Sequence, residues 1–143
     1  MGRCAHYRGE CIVVTNVLVV DDDDRSRSDL VAALADAHMV RGASSAAQAM
    51  NVLDGGRVDV VILATTLGDG AWMAVLMRTF AVFPPPRVIV VSDAAAPSRA
   101  ARAIKLGADD YLVRPCSAGV LQEAVERSAT VGIQAEEYMG ALT

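Results

Sequence analysis

Four consecutive carboxylates, Asp21 to Asp24, follow directly on the apolar run Val17–Val20 in the stretch NVLVVDDDD. So short and continuous a run of valine and leucine reads as a strand buried on both faces, the kind found inside a parallel sheet. Ligands of open α/β sheets sit at the carboxyl ends of the strands, so carboxylates at this tip point to a site. Adjacent carboxylates in a partly desolvated pocket raise one another's pKa unless a cation compensates. Arg114 closes a later apolar run and suits that task, because its guanidinium does not deprotonate and can grip a carboxylate through two N–H groups. An internal ion pair between Arg114 and Asp21 or Asp22 is therefore expected. Asp23 and Asp24 are expected only to cap the next helix and face its dipole. Cys4, His6 and Cys11 lie close in sequence, but tetrahedral zinc wants a fourth ligand at paired spacing and none is offered.

The elements that hold these residues follow from hydrophobic period and punctuation. Asp23 or Asp24 caps a first helix with the apolar stripe Leu30, Val31, Leu34 and Ala37. Val40–Gly42 is a minimal second strand. Ser44 or Ser45 caps a second helix with Ala46, Ala49, Met50 and Leu53 on one face, closed by Gly55-Gly56. Val58–Leu63 is a third strand, and Ala64–Gly70 the loop after it. Trp72, Val75, Leu76, Thr79 and Phe80 give a third helix with i, i+3, i+4 spacing, stopped by Pro84-Pro85-Pro86. Val88–Val91 is the fourth strand, ending at Ser92 and Asp93. A fourth helix opens at Pro97 or Ser98 and runs to Leu106 before Gly107. Tyr111–Val113 is the fifth strand, ending at Arg114-Pro115, and Ser117 caps a last helix carrying Val120, Leu121, Ala124 and Val125. Five strands alternating with five helices over short loops describe a parallel sheet covered on both faces by right-handed crossovers. Residues 1–15 are expected to be an irregular extension outside that fold, 16–130 the domain, and 131–143 a helical tail or the start of a linker.

The chain has 143 residues, 53% of them hydrophobic, and a net charge of −4. That is enough for one buried core and too apolar for disorder. No apolar run approaches the roughly 20 residues of a membrane span, and residues 1–15 lack the features of a signal peptide. The acidic balance, without a basic stripe, argues against nucleic-acid binding by this chain alone. Three cysteines, Cys4, Cys11 and Cys116, with no close pair fit a reducing compartment, so the expected location is the cytoplasm.

LVVDDD, then VSD, then KLGADDYLVRP, spaced along this alternating chain, resemble the receiver domain of two-component response regulators over about residues 16–129. The resemblance implies a flavodoxin-like (βα)5 fold, a doubly wound parallel five-stranded sheet of order 2-1-3-4-5. In a working receiver the acidic pair after the first strand, matched here by Asp21 and Asp22, helps hold Mg²⁺. A carboxylate ending the third strand takes a phosphoryl group from a kinase histidine, and a hydroxyl and a lysine ending the fourth and fifth strands engage it. Metal and cation are needed because a carboxylate is a poor nucleophile toward a dianion. The resemblance also implies a switch pair at Ser92 and Tyr111 and a cis peptide before Pro115. It implies a partner surface on the fourth helix, fifth strand and fifth helix, open to a histidine kinase, an effector domain or a second copy.

The sequence departs from that pattern in one small region. The accepting position, five residues beyond Asp59, is held by Ala64, and a methyl group neither accepts a phosphoryl group nor ligates a metal. The loop TTLGDG is shorter than the family's and lacks its proline, the basic residue is Arg114 rather than lysine, and Cys116 replaces a common aromatic as a small apolar filler. The reading is a pseudo-receiver: not an enzyme, without a cofactor, with Mg²⁺ binding at Asp21 and Asp22 weak or absent. It would signal by phosphorylation-independent protein contact in a two-component pathway. Two alternatives stay open: a sensor binding an anionic metabolite near Ser92 and Arg114, and residual phosphoryl acceptance at Asp69 or Asp22. The charged residues that pair across dimers of the winged-helix regulators are not evident in the last helix. That symmetric dimer is not expected, although Gly119, Val120 and Leu121 leave an apolar contact open.

Overall fold

The computed structural model describes residues 3–7, 10–93 and 97–129, with side chains from Thr15 onward apart from that of residue 69. The tail expected over 131–143 lies outside the described residues. Near the amino terminus the chain is not irregular as expected: β1 (Arg3–Tyr7) pairs antiparallel with β2 (Glu10–Val14), Tyr7 opposite Glu10. The β-branched run Ile12–Val14 supplies the strand propensity.

The remaining strands, β3 (Asn16–Val20), β4 (Met39–Ala43), β5 (Val60–Ala64), β6 (Arg87–Ser92) and β7 (Asp110–Val113), form one parallel sheet ordered β4-β3-β5-β6-β7. Counted within that sheet, the order is 2-1-3-4-5, the flavodoxin-like arrangement. The crossovers are α1 (Asp24–Leu34), α2 (Ala46–Gly55), α3 (Asp69–Thr79) and α4 (Pro97–Lys105), and residues 118–129 form α5. Strand period 2 divides the core between the two faces. Val17 and Val19 join Val60, Ile62, Ile89 and Val91 under Leu34 of α1 and Leu121 of α5. Leu18 and Val20 join Val61, Leu63, Val88 and Val90 under Leu53 of α2 and Trp72 of α3. β5 is buried along its whole length, as a central strand covered on both sides must be.

Side chains start three of the helices. Asp23 Oδ1 accepts from Ser26 N at 2.9 Å, Ser45 Oγ from Gln48 N at 3.2 Å, and Ser117 Oγ from Val120 N at 3.2 Å. Each satisfies an amide that the helix itself cannot. The stretch expected as a loop after β5 is instead a 3₁₀ turn, Thr65–Leu67, running into α3. Gly68, at φ +97°, takes the N-cap position of α3, so Asp69 begins the helix rather than capping it. Three residues expected on the apolar faces of helices are not core, and one is Val120, which is 45% exposed at the start of α5. Ala37 lies beyond the end of α1 and is exposed. Phe80 lies just past α3 and is 53% exposed, its ring against Gly107.

Candidate functional site

The carboxyl ends of β3, β6 and β7 meet at one buried carboxylate. Asp21 follows β3 directly and is fully buried, its N–H donating to Ala43 O at 3.0 Å. Oδ1 accepts from Asp23 N at 3.0 Å, the local turn that an aspartate makes with the backbone two residues on, and from Thr66 Oγ1 at 3.5 Å. Oδ2 accepts from Arg114 Nη2 at 3.1 Å. Its carbonyl accepts from Arg27 Nη1 at 2.9 Å.

Arg114 is the hub of the arrangement. The backbone brings it there, Arg114 N donating to Ser92 O at 2.8 Å as β7 runs out beside β6. Nη2 serves Asp21, Nη1 donates to Ser26 Oγ on α1, and Nε lies 3.4 Å from Asp93 Oδ1, an ion-pair distance without hydrogen-bond alignment. One guanidinium thus ties β3, α1, β6 and β7 together, which its planar fork of donors permits and a lysine could not match. Of the pair Asp21 and Asp22, it is Asp21 that Arg114 reaches. Asp22 is exposed on the rim of a cleft of about 680 Å³ lined also by Asp23, Arg25, Asp29, Asp93, Arg114 and Cys116. The Arg114–Pro115 peptide is cis.

Ser92 is buried at the end of β6 and accepts from Arg99 Nη1 of α4 at 3.4 Å. Tyr111 packs its ring against the core beneath α2 and α3, and its buried hydroxyl has no hydrogen-bond partner among the described residues. Ala64 closes β5, fully buried. Among the described residues no three carboxylate, imidazole or thiolate groups converge. Both Asp21 oxygens already have partners, and Ala64 offers none. The side chain of Asp69 lies outside the described residues, as do those of Cys4, His6 and Cys11.

Sequence reasoning did not find Ser26, Thr66, Arg27 or Arg99. Ser26 and Arg27 sit on α1 at the helical spacing that turns them toward the strand tip, a signal available once Asp23 is taken as the cap. Arg99 lies seven residues past Ser92, across a connection whose path no periodicity fixes.

The model of the response regulator receiver domain matches residues 17–126, and the chain belongs to that family. The alginate biosynthesis transcriptional regulatory protein AlgB of Pseudomonas putida is 34% identical over 116 residues, which cover 80% of this chain and 26% of that protein. The chain therefore spans about a quarter of the length of that relative. The chemotaxis protein CheY of Listeria monocytogenes is 29% identical over 115 residues, covering 79% of this chain and 97% of the relative. Among solved structures, NtrX from Brucella abortus superposes with a TM-score of 0.82 at 26% identity, covering 90% of this chain and 29% of the other. The fold and the family place the chain among the receiver modules of two-component signalling. No helix among the described residues is long and apolar enough to cross a membrane.

Proposed function

We propose that this receiver domain signals by protein contact without taking a phosphoryl group, and that it is not an enzyme. The observation that carries the reading is Ala64 at the end of the central strand, with Arg114 closed onto Asp21 beside it. An acceptor needs a carboxylate that a metal and a cation can neutralise together. Here the motif puts a methyl group at the acceptor position, and the cation is spent on Asp21. Arg114 then does the work of both lysine and metal: it neutralises the buried carboxylate and pins the strand ends. Ser92, in the family's switch position, is already engaged by Arg99, and Tyr111 is already turned inward, so the arrangement needs no phosphoryl group to hold it.

The partner would be a histidine kinase or an effector domain in the cytoplasm, meeting α4, β7 and α5. The anionic-metabolite reading is not favoured, because Arg114 already faces two carboxylates and the cleft wall carries Asp22, Asp23, Asp29 and Asp93 against two arginines. The test is the intact mass of the chain after incubation with Mg²⁺ and acetyl phosphate, beside a receiver known to be modified. No added phosphoryl mass is expected. Stoichiometric addition would overturn the reading and send attention to Asp69 and Asp22.

A further inference from the structure

The amino-terminal hairpin changes what Cys4, His6 and Cys11 can do together. Their spacing along the chain offers no fourth ligand, but the pairing of β1 with β2 adds a geometry that spacing lacks. His6 stands directly opposite Cys11, and Cys4 directly opposite Val13. Residues opposite each other in an antiparallel pair share a face, and so do residues two apart on one strand. Cys4, His6 and Cys11 therefore lie on one face of the hairpin, with Val13. Arg3, Ala5, Tyr7, Glu10, Ile12 and Val14 lie on the other. Every cysteine and histidine of residues 1–15 thus falls on the same side.

Separations across such a face suit a metal better than a disulfide. Opposite residues of an antiparallel pair have Cβ atoms about 4.5–5.5 Å apart, and diagonal neighbours, the relation of Cys4 to Cys11, stand about 7–8 Å apart with Cβ somewhat closer. A disulfide wants its Cβ atoms within about 3.5–4.5 Å. A metal between the two sulfurs, with bonds of about 2.0–2.3 Å to nitrogen and sulfur, spans the wider gap. Two thiolates and an imidazole are a soft donor set, which selects zinc over the oxygen-seeking Mg²⁺. The two thiolates also cancel the charge of a divalent ion. The hairpin itself has use for a cross-link, because β1 and β2 form a two-stranded sheet separate from the five-stranded one. A two-stranded hairpin alone is at best marginally stable in water, and a metal held across it adds binding free energy to the pairing.

We infer that the β1–β2 hairpin holds a zinc ion through Cys4, His6 and Cys11, with the fourth tetrahedral position open to water. Binding releases the protons of both thiols to solvent, so affinity falls as the pH drops. Asp21, Ala64 and Arg114 take no part, so the outcome is independent of the phosphodonor experiment. The full chain, reduced and stripped with EDTA, is titrated with Zn²⁺ against a chromophoric chelator. A parallel titration with Co²⁺ reads thiolate-to-metal charge-transfer absorbance. One equivalent of either ion is expected. A brief exposure to iodoacetamide should then modify only Cys116 in the zinc-loaded chain and all three cysteines in the stripped chain, read as intact mass. Cys4→Ser, His6→Ala and Cys11→Ser should each weaken binding by about a hundredfold or more, since even a group that merely orients a metal ligand is worth roughly 10–100-fold. Cys116→Ser should leave binding unchanged. Cys4→Ala combined with Ala5→Cys keeps the composition but moves one thiol to the opposite face, and should weaken binding as much as Cys4→Ser. Failure to take zinc from the chelator, or uptake lost in Cys116→Ser, would overturn the inference. So would undiminished binding by the variant with the moved thiol, which would make nearness in sequence, and not the face of the hairpin, the source of the affinity.

Discussion

A carboxylate with no exposed surface is tolerable only if its charge is met, and at Asp21 the meeting partner is Arg114. Arg114→Gln should leave that carboxylate buried and uncompensated. The expected cost is about 2–3 kcal/mol, below the usual figure for a deeply buried pair because the arginine keeps contact with water. Urea denaturation checks it, and adding Asp21→Asn to Arg114→Gln should recover part of the loss; a double variant less stable than Arg114→Gln alone would refute the account. His38 is the opposite case, a buried imidazole whose two nitrogens find no partner among the described residues. Burial pushes its pKa below the ordinary 6.5, and Glu126 of α5 pulls it back part of the way. The unfolded chain therefore takes up the proton first. Stability is complete above about pH 6.5 and falls as the pH drops through that value, by up to about 1.4 kcal/mol per unit. His38→Leu should flatten the dependence between pH 5.5 and 7 in urea melts; a slope unchanged by the substitution would assign it to other groups. The two sites differ in how they could be foreseen. An arginine and a run of carboxylates at the carboxyl ends of strands of one parallel sheet announce an ion pair, whereas a histidine between a helix and a strand has no patterned neighbour to reveal that it is buried alone.

At the scale of elements, the turn between α4 and β7 shows where backbone conformation and packing coincide. Gly107 has φ +104°, which costs an L residue about 1–2 kcal/mol, and the Phe80 ring occupies the place of its missing Cβ. Gly107→Ala should destabilise by about 2 kcal/mol or more, and combining it with Phe80→Ala should relieve only the steric share, leaving about 1 kcal/mol from the backbone. Denaturant midpoints of the two single variants and the double separate the shares; full rescue by Phe80→Ala would show that the dihedral carries no cost. The strands were legible because a buried parallel sheet needs continuous apolar runs, and Val60–Leu63 could hardly be anything else. The caps at Asp23, Ser45 and Ser117 were legible from residue type. What escaped was structure made by contact rather than pattern. The 3₁₀ turn after Ala64 has no period to read, α3 starts on a glycine without a capping side chain, and Phe80 satisfies the helical spacing yet falls one residue beyond the helix, where its ring covers Gly107 in the turn after α4.

For the molecule as a whole, the separation is between a scaffold that any receiver sequence must encode and a site that, on the reading proposed above, this one has altered. The sheet order and the two-sided core depend on about a hundred residues acting together, so one substitution at a strand end leaves them intact while changing what the strand ends can bind. That makes metal linkage the sharpest whole-molecule test, since an ion bound only by the native state stabilises every part of it by RT ln(1 + [L]/Kd). The chain as it stands brings no three metal-ligating groups together among its described residues, so saturating MgCl₂ should leave its melting temperature equal to that in NaCl of matched ionic strength. Ala64→Asp adds a carboxylate at the end of the central strand, and Mg²⁺ should then raise the melting temperature, because a cation becomes the cheapest way to compensate the new charge. The gain has a competitor in Arg114, which must release an oxygen of Asp21 before the ion can use it. Replacing that fork by a single ammonium, in Ala64→Asp with Arg114→Lys, should therefore enlarge the Mg²⁺ effect beyond that of Ala64→Asp alone. Should the unmodified chain respond to Mg²⁺ as strongly as the double variant, Arg114 would not be standing in for the metal, and the site would hold an ion without Ala64 being changed.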